Sequence, residues 1–368
     1  MTSSRPFSSI ELQFSAPTGF KKKSKASDLS AVVVTDGGRT LWVGSDEWTS
    51  IDRLTKIDDS TYGDHTAFEL DLYLEGFDPA LGEIDIEGMD HDGSYLWLIG
   101  SHSGKRKKVK LQTDEGEPKF TLTNQELKEV TKEGNRYLLA RIPLVDGKLE
   151  KSAGALTVAS LPRRGTSNDL TDELAGDEYL RDFITANLPG KENGLDIEGL
   201  AVKGDYLFLG LRGPVLRGMA ILLTVKIAEE SPGILKLEKI GAGDARRYRK
   251  HFLDLDGLGI RDLRFDGDEL LLLAGPTMTL DAPFYIFRLK NPLLLEENSL
   301  SSAVNGQLTR SIEIPHGYQS DRAEGIALYP TDDGSKALLV VYDSPTETRD
   351  GQPGRETDRR VLADLFPL

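Results

Sequence analysis

The chain has no cysteine, so disulfides, thiolate nucleophiles and zinc–thiolate sites are excluded at once. That composition fits a reducing compartment. Nor is there a basic surplus: 45 Lys and Arg stand against 60 Asp and Glu, a net charge of −15. Sequence-independent nucleic-acid binding needs cationic surface to displace counterions, and this chain lacks it. Long apolar runs are missing too. Leu270–Ala274 is strand-length and far short of a membrane span, and Met1–Gly19 has no apolar core behind a basic start, as a secretory signal requires. These absences predict a cytoplasmic protein whose partners are neither nucleic acid nor membrane.

Catalytic signatures are equally scarce. The histidines, His65, His91, His102, His251 and His316, show no H-x-x-x-H or H-E-x-x-H spacing, which argues against a zinc hydrolase. Gly100–Gly104 reads Gly-Ser-His-Ser-Gly, with His102 where a nucleophile elbow has serine. No glycine-rich phosphate loop opens a helix, and no EF-hand-like run of oxygen ligands exists.

What the chain does have is an internal repeat. Asp85-Ile86-Glu87-Gly88-Met89 returns as Asp196-Ile197-Glu198-Gly199-Leu200, as Gly259-Ile260-Arg261-Asp262-Leu263, and as Arg322-Ala323-Glu324-Gly325-Ile326. Six positions after the key residue comes a turn glycine, Gly93, Gly204 or Gly267, while the last copy inserts residues and delays it to Gly334. Each turn feeds an apolar run: Tyr95–Ile99, Tyr206–Leu209, Glu269–Leu273, Lys336–Val341. A weaker first copy spans Ala31–Val34 and Thr40–Val43, with Val32 at the place of the glutamate. Third strands follow at Leu54–Ile57, Leu139–Ile142, Leu223–Ile227 and Ile286–Leu289, and more polar outer strands after them. Glycine–aspartate turns between short apolar runs are hairpin signals.

Four strands repeated along the chain make a propeller blade, whose inner strands are apolar throughout because both faces pack on neighbouring blades. The expectation is therefore an all-β, single closed β-propeller domain over residues 1–368. Five repeats are counted, and the longer interval from Glu87 to Glu198 leaves room for a sixth. That excess reads better as insertions with helical character, at about 110–135 and 160–192. Thr123–Glu133 has a helix-start pattern, and Ser167–Asn187 is a capped amphipathic stretch. The N-terminal strand Ile10–Phe14 is expected to join the C-terminal blade ending Val361–Leu365, which closes the ring and removes open sheet edges.

At Asp196–Ala201 (D-I-E-G-L-A) and Gly210–Pro214 (G-L-R-G-P) the chain resembles a bacterial family of β-propeller proteins known only as a domain of unknown function. The resemblance implies the fold and little biochemistry. More distantly, Glu-Gly at the start of an inner strand is similar to phytase-like, esterase-like and lactonase propellers, where channel carboxylates hold a divalent cation.

In a propeller the inner strands begin on one face, which places Glu87, Glu198, Arg261 and Glu324 in a ring at one channel mouth. Asp85 and Asp196 lie two residues earlier and point the same way. Nearby loops add Asp46, Glu47, His102, Arg212, Arg217 and Asp343. Each glutamate has a bland role available, as a clasp that accepts backbone N–H groups of the next blade. Arg261 likewise has a structural ion pair available. Glu87, Glu198 and Glu324 with Asp85 and Asp196 also form a plausible share of the oxygen ligands of a divalent cation such as calcium. Arg212 and Arg217 form a fork suited to an anionic ligand, with Arg261 expected to be paired and Arg212 the freer. The basic run Lys105–Lys108 reads as a solvated loop or as a contact for an anionic partner.

Two functions follow. The first is a ligand- or partner-binding module with a carboxylate- and arginine-lined pocket, its partner a small anionic ligand or a protein. The alternative is a metal-assisted hydrolase of phosphate esters, esters or lactones. No nucleophile–base pair can be named for the second.

Overall fold

The computed structural model describes residues 5–15, 25–78, 81–106, 112–114, 117–119, 127–240, 246–278, 280–318, 320–346, 349 and 359–368. The chain is all-β, and among the described residues its longer strands fall into five mainly antiparallel groups, some joined edge to edge into larger sheets. The first comprises Leu29–Thr35, Thr40–Ser45, Ser50–Asp58 and Thr61–Glu69. Next come Ile86–His91, Tyr95–Gly100, Leu139–Val145 and the short Ala159–Ser160. In the third, Asp196–Lys203 and Tyr206–Leu216 lead to the long strand Met219–Ser231, whose two halves pair with Tyr248–Asp254 and Ile234–Glu238. The fourth holds Gly259–Asp266, Glu269–Gly275, Phe284–Lys290 and Leu308–Ile314. In the fifth, Arg322–Pro330, Lys336–Asp343 and Arg360–Pro367 are completed by the N-terminal Ser8–Gln13, as the sequence predicts.

Burial explains the apolar runs. In Leu270–Leu273, Leu270 and Leu272 join an apolar cluster shared with the third unit, while Leu271 and Leu273 join one shared with the fifth. Side chains alternate across a strand, so a strand sandwiched between two units must be apolar at every position. Similar clusters join the first unit to the second, the second to the third, and the fifth to the first. Innermost strands follow the same order of contact, each beside the next and Arg322–Pro330 beside Leu29–Thr35.

The glycine of the repeat has a packing reason. A Cβ on Gly88 would lie 2.8 Å from the Glu198 carbonyl oxygen and 2.8 Å from Leu200 Cβ; one on Gly199 would lie 2.7 Å from Leu263 Cγ. Such distances require something to shift, so only glycine lets one inner strand approach the next.

The insertions are partly as expected. Helix Asp169–Ala175 is capped by Asn168, whose side chain accepts the Thr171 N–H at 3.0 Å, and Arg181–Thr185 follows. Asp177 fastens this segment to the third unit by accepting from Tyr248 Oη at 2.6 Å and from the fully buried Lys250. The helix expected near 123–133 is corrected where it can be described. Val130–Lys132 is a strand paired with Gly104–Arg106, and residues 123–126 lie outside the described residues. No helix among the described residues is long and apolar enough to cross a membrane.

Candidate functional site

Every inner strand carries an irregularity at the same register. The pairing with its neighbour slips between Leu29 and Ala31, Ile86 and Gly88, Ile197 and Gly199, Ile260 and Asp262, and Ala323 and Gly325. The residues at these bulges are Ser30, Glu87, Glu198, Arg261 and Glu324. A bulge bends its strand and re-aims one side chain out of the ladder. Glu87, Glu198, Arg261 and Glu324 thus share one register, and in the first unit Ser30, not Val32, occupies it. Counting back two residues gives Asp28, Asp85 and Asp196. Asp46 and Asp343 sit at the ends of the second strands beside them, and Arg212 lies within the longer second strand Tyr206–Leu216.

The two arginines and their glutamates form one chain of ion pairs. Arg212 Nη1 donates to Glu198 Oε1 at 2.7 Å and lies 3.7 Å from Asp196, while its Nε donates to the Thr277 carbonyl at 3.0 Å. Arg261 Nε lies 3.0 Å from Glu198 Oε2, and its Nη2 donates to Glu324. The expectation that Arg212 is the freer arginine is thus corrected, because its guanidinium is buried and held by Glu198. Arg217 does not join it: it is exposed in the turn between Leu216 and Met219, with no partner among the described residues. The anion fork is therefore absent as drawn from the sequence.

Other carboxylates differ in their company. Asp85 accepts from Arg136, which also binds Glu133 and Glu83. Glu87 and Asp46 have no hydrogen bond or ion pair among the described residues, and Asp46 Oδ1 is a buried acceptor without a donor. Burial first, then Glu198, Asp85, Asp46 and Asp196, push the Glu87 carboxyl well above the usual range. Burial and then Asp343, Asp85 and Asp28 do the same to Asp46, with Lys191 opposing. Asp196 is pushed up to about 7 by burial and Glu198, against Arg212. Arg261 is lowered to about 10, mainly by burial and then by Arg212. The exposed Lys191, without a direct ion pair to any of them, lowers Asp46, Asp85 and Asp196.

The clasp role falls to different residues. Asp90 Oδ2 accepts the Val202 N–H at 2.8 Å, and Asp262 Oδ2 accepts the Ile326 N–H at 2.8 Å, each across to the next unit. Arg264, which the sequence reading passed over, reaches Asp90 and the carbonyls of Val32, Met89 and Ile326, the last three at 3.0 Å. Coming from the fourth unit, it ties together the first, second and fifth. The signal was present: in the copy where Arg261 replaces glutamate, Asp262 and Arg264 also depart from the repeat.

His102, which the sequence places on a loop beside the ring, is buried instead. Its Nδ1 lies 2.7 Å from the Gly100 carbonyl and its Nε2 2.8 Å from Asn168 Nδ2, and burial lowers it to about 4. It lines a cavity of about 120 Å³ beside Tyr137, Thr171, Phe183 and Leu195, apart from the ring. Of the basic run, Lys105 pairs with Glu83 and Glu133 and Arg106 with Glu192, while Lys107 and Lys108 lie outside the described residues. The expected cation ligands do not assemble as they stand: among the described residues no three His, Asp or Glu side chains are grouped to hold a metal ion. Glu198 and Glu324 are spent on arginine.

Solved structures similar to this chain include the PQQ-bound aldose sugar dehydrogenase of Streptomyces coelicolor, at 13% identity, 98% and 99% coverage of the two chains and a TM-score of 0.39. Another is regucalcin, a calcium-binding protein of Agrobacterium tumefaciens, at 10% identity, 97% coverage of each chain and a TM-score of 0.37. A third is the WD40 β-propeller domain of Doa1, at 10% identity, 98% and 97% coverage and a TM-score of 0.31. No curated protein matches the sequence. Residues 28–364 match the model of the family described as Protein of unknown function (DUF3616), and with nearly its whole length matched the chain belongs to that family.

Proposed function

We propose that the five units close into a single five-bladed β-propeller and that the acidic mouth of its channel binds a cationic ligand. The order of contact among the inner strands and the five apolar interfaces support the closure. Arg264, bonded across to the first, second and fifth units, supports a mouth closed behind these residues and suited to holding a ligand rather than passing one.

The observation that carries the binding reading is the state of Glu87 and Asp46. Both are half-buried carboxyls, without hydrogen bond or ion pair among the described residues, and each is repelled by several acids. Buried charge without a partner is costly, and a cation seated among them removes that cost. Because Arg212 faces Glu198 and Arg261 faces Glu198 and Glu324, an anion alone gains less here than a cation, although Arg261 Nη1 keeps no hydrogen-bond partner among the described residues. Calcium and an organic ammonium group are the two chemistries of this kind. The hydrolase alternative gains no nucleophile–base pair: Ser101 and Ser103 bond to each other and to Arg136, and His102 Nε2 faces Asn168.

The test is a thermal-shift and calorimetric titration with calcium chloride, magnesium chloride and butylamine, on wild type and Glu87→Gln. A ligand at a hundredfold excess over its Kd stabilises by about 2.7 kcal/mol. The expected result is a rise in Tm with at least one cation that is lost in Glu87→Gln and grows with pH. Absence of any cation effect on the wild type refutes the reading.

A further inference from the structure

We infer that the ligand of this mouth is a zwitterion, an amino-acid-like molecule whose carboxylate is received by Arg261 Nη1 and whose ammonium is received by Glu87 and Asp46. The inference rests on the reading of the mouth as a binding site and adds the second charge of its ligand.

Arg261 is only 3% exposed, yet its Nη1 is a buried donor with no hydrogen-bond partner. Nη2 is taken by Glu324 in the fifth unit and Nε faces Glu198 in the third. The remaining members of the bulge ring are Ser30 and Glu87. Ser30 is already committed, because its hydroxyl donates to the Ile86 carbonyl. On the other side, Asp46 Oδ1 is a buried acceptor with no donor, and Glu87 is unpaired among the described residues. Arg261 and Glu87 occupy the same bulge register of their inner strands, and Asp46 follows Ser45, which pairs with Leu29 beside the Ser30 bulge; their mutual electrostatic influence with Glu87 agrees with that placement.

Among the described residues Arg261 Nη1 and the Glu87 and Asp46 carboxyls are therefore left without a partner, while Arg261 Nε and Glu198 Oε2 face each other as an ion pair without a hydrogen bond. Arg212 is held by Glu198 and the Thr277 carbonyl, and Arg136 by Asp85. A bare metal ion would answer the carboxyls and repel Arg261. A carboxylate or phosphate alone would answer Arg261 and be repelled by the acids. Water would satisfy hydrogen bonds but brings no charge. A molecule with an ammonium and a carboxylate meets both needs, and charge-assisted bonds of this kind are the strong ones.

The experiment titrates the full chain with glycine, β-alanine, γ-aminobutyrate and lysine, each beside the amine left when its carboxylate is removed, and with calcium chloride. At least one amino acid is expected to bind about tenfold or more tightly than its amine, the worth of one charge-assisted hydrogen bond. That advantage should vanish in Arg261→Lys, which keeps the charge and removes Nη1, and binding itself should weaken in Glu87→Gln. The wild-type comparison stands even where Arg261→Lys does not fold. Amines or calcium binding as tightly as the amino acids would overturn the zwitterion while sparing the cationic mouth. Failure of every probe would sink both.

Discussion

Arg264 offers the sharpest perturbation of the fold. Its guanidinium, 7% exposed, donates to Asp90 and to three backbone carbonyls belonging to the first, second and fifth units. Arg264→Met keeps most of the side-chain volume and removes every donor. Asp90 is then a buried carboxylate that retains the Val202 N–H but has lost its counter-charge. Breaking a buried ion pair from one side costs about 3–5 kcal/mol, and the orphaned carbonyls place this case in the upper part of that range. Against a total stability of about 5–15 kcal/mol, such a variant is close to unfolding at room temperature. Urea unfolding followed by the fluorescence of the buried Trp42 and Trp97 reads the loss directly. With a slope of about 3 kcal/mol per molar urea, the midpoint should fall by about 1.3–1.7 M. Adding Asp90→Asn should recover part of the loss, since a neutral amide still accepts from Val202 and leaves no stranded charge. A midpoint within about 0.3 M of wild type, which is about 1 kcal/mol at that slope, would show that the apolar interfaces alone hold the units together.

Two further outcomes follow from the site and the packing. Asp196 sits at about 7 against an ordinary 3.8, chiefly through burial, so the folded chain holds this proton more tightly than the unfolded one. Its contribution is complete below about pH 4 and lost as pH rises towards 7; Asp196→Asn should therefore gain Tm relative to wild type across that window, and a constant difference would contradict the assignment. Gly88→Ala should cost about 1–3 kcal/mol by overpacking the contact with Glu198 and Leu200, and chemical denaturation showing no loss would remove the packing reason given for the repeat's glycine.

The repeat made much of the architecture legible. Short apolar strands spaced by glycine turns are set by local conformational preference and by period-two burial, both of which are written residue by residue. Hence the inner and middle strands, the N-terminal strand beside Val361 and the capped helix at 169–175 could be read directly. The shared register of Glu87, Glu198, Arg261 and Glu324 was legible for the same reason, because like units repeat like positions. Partnership was not. Whether Glu198 faces a backbone amide or two arginines, and whether Arg212 is free, depends on distances between side chains far apart along the chain. The same holds for Ser30, identified only by the bulge it shares with four other strands, and for Arg264, whose partners come from three other units. Local sequence fixes which way a side chain leaves its strand; only the packing of the units against one another decides what it meets.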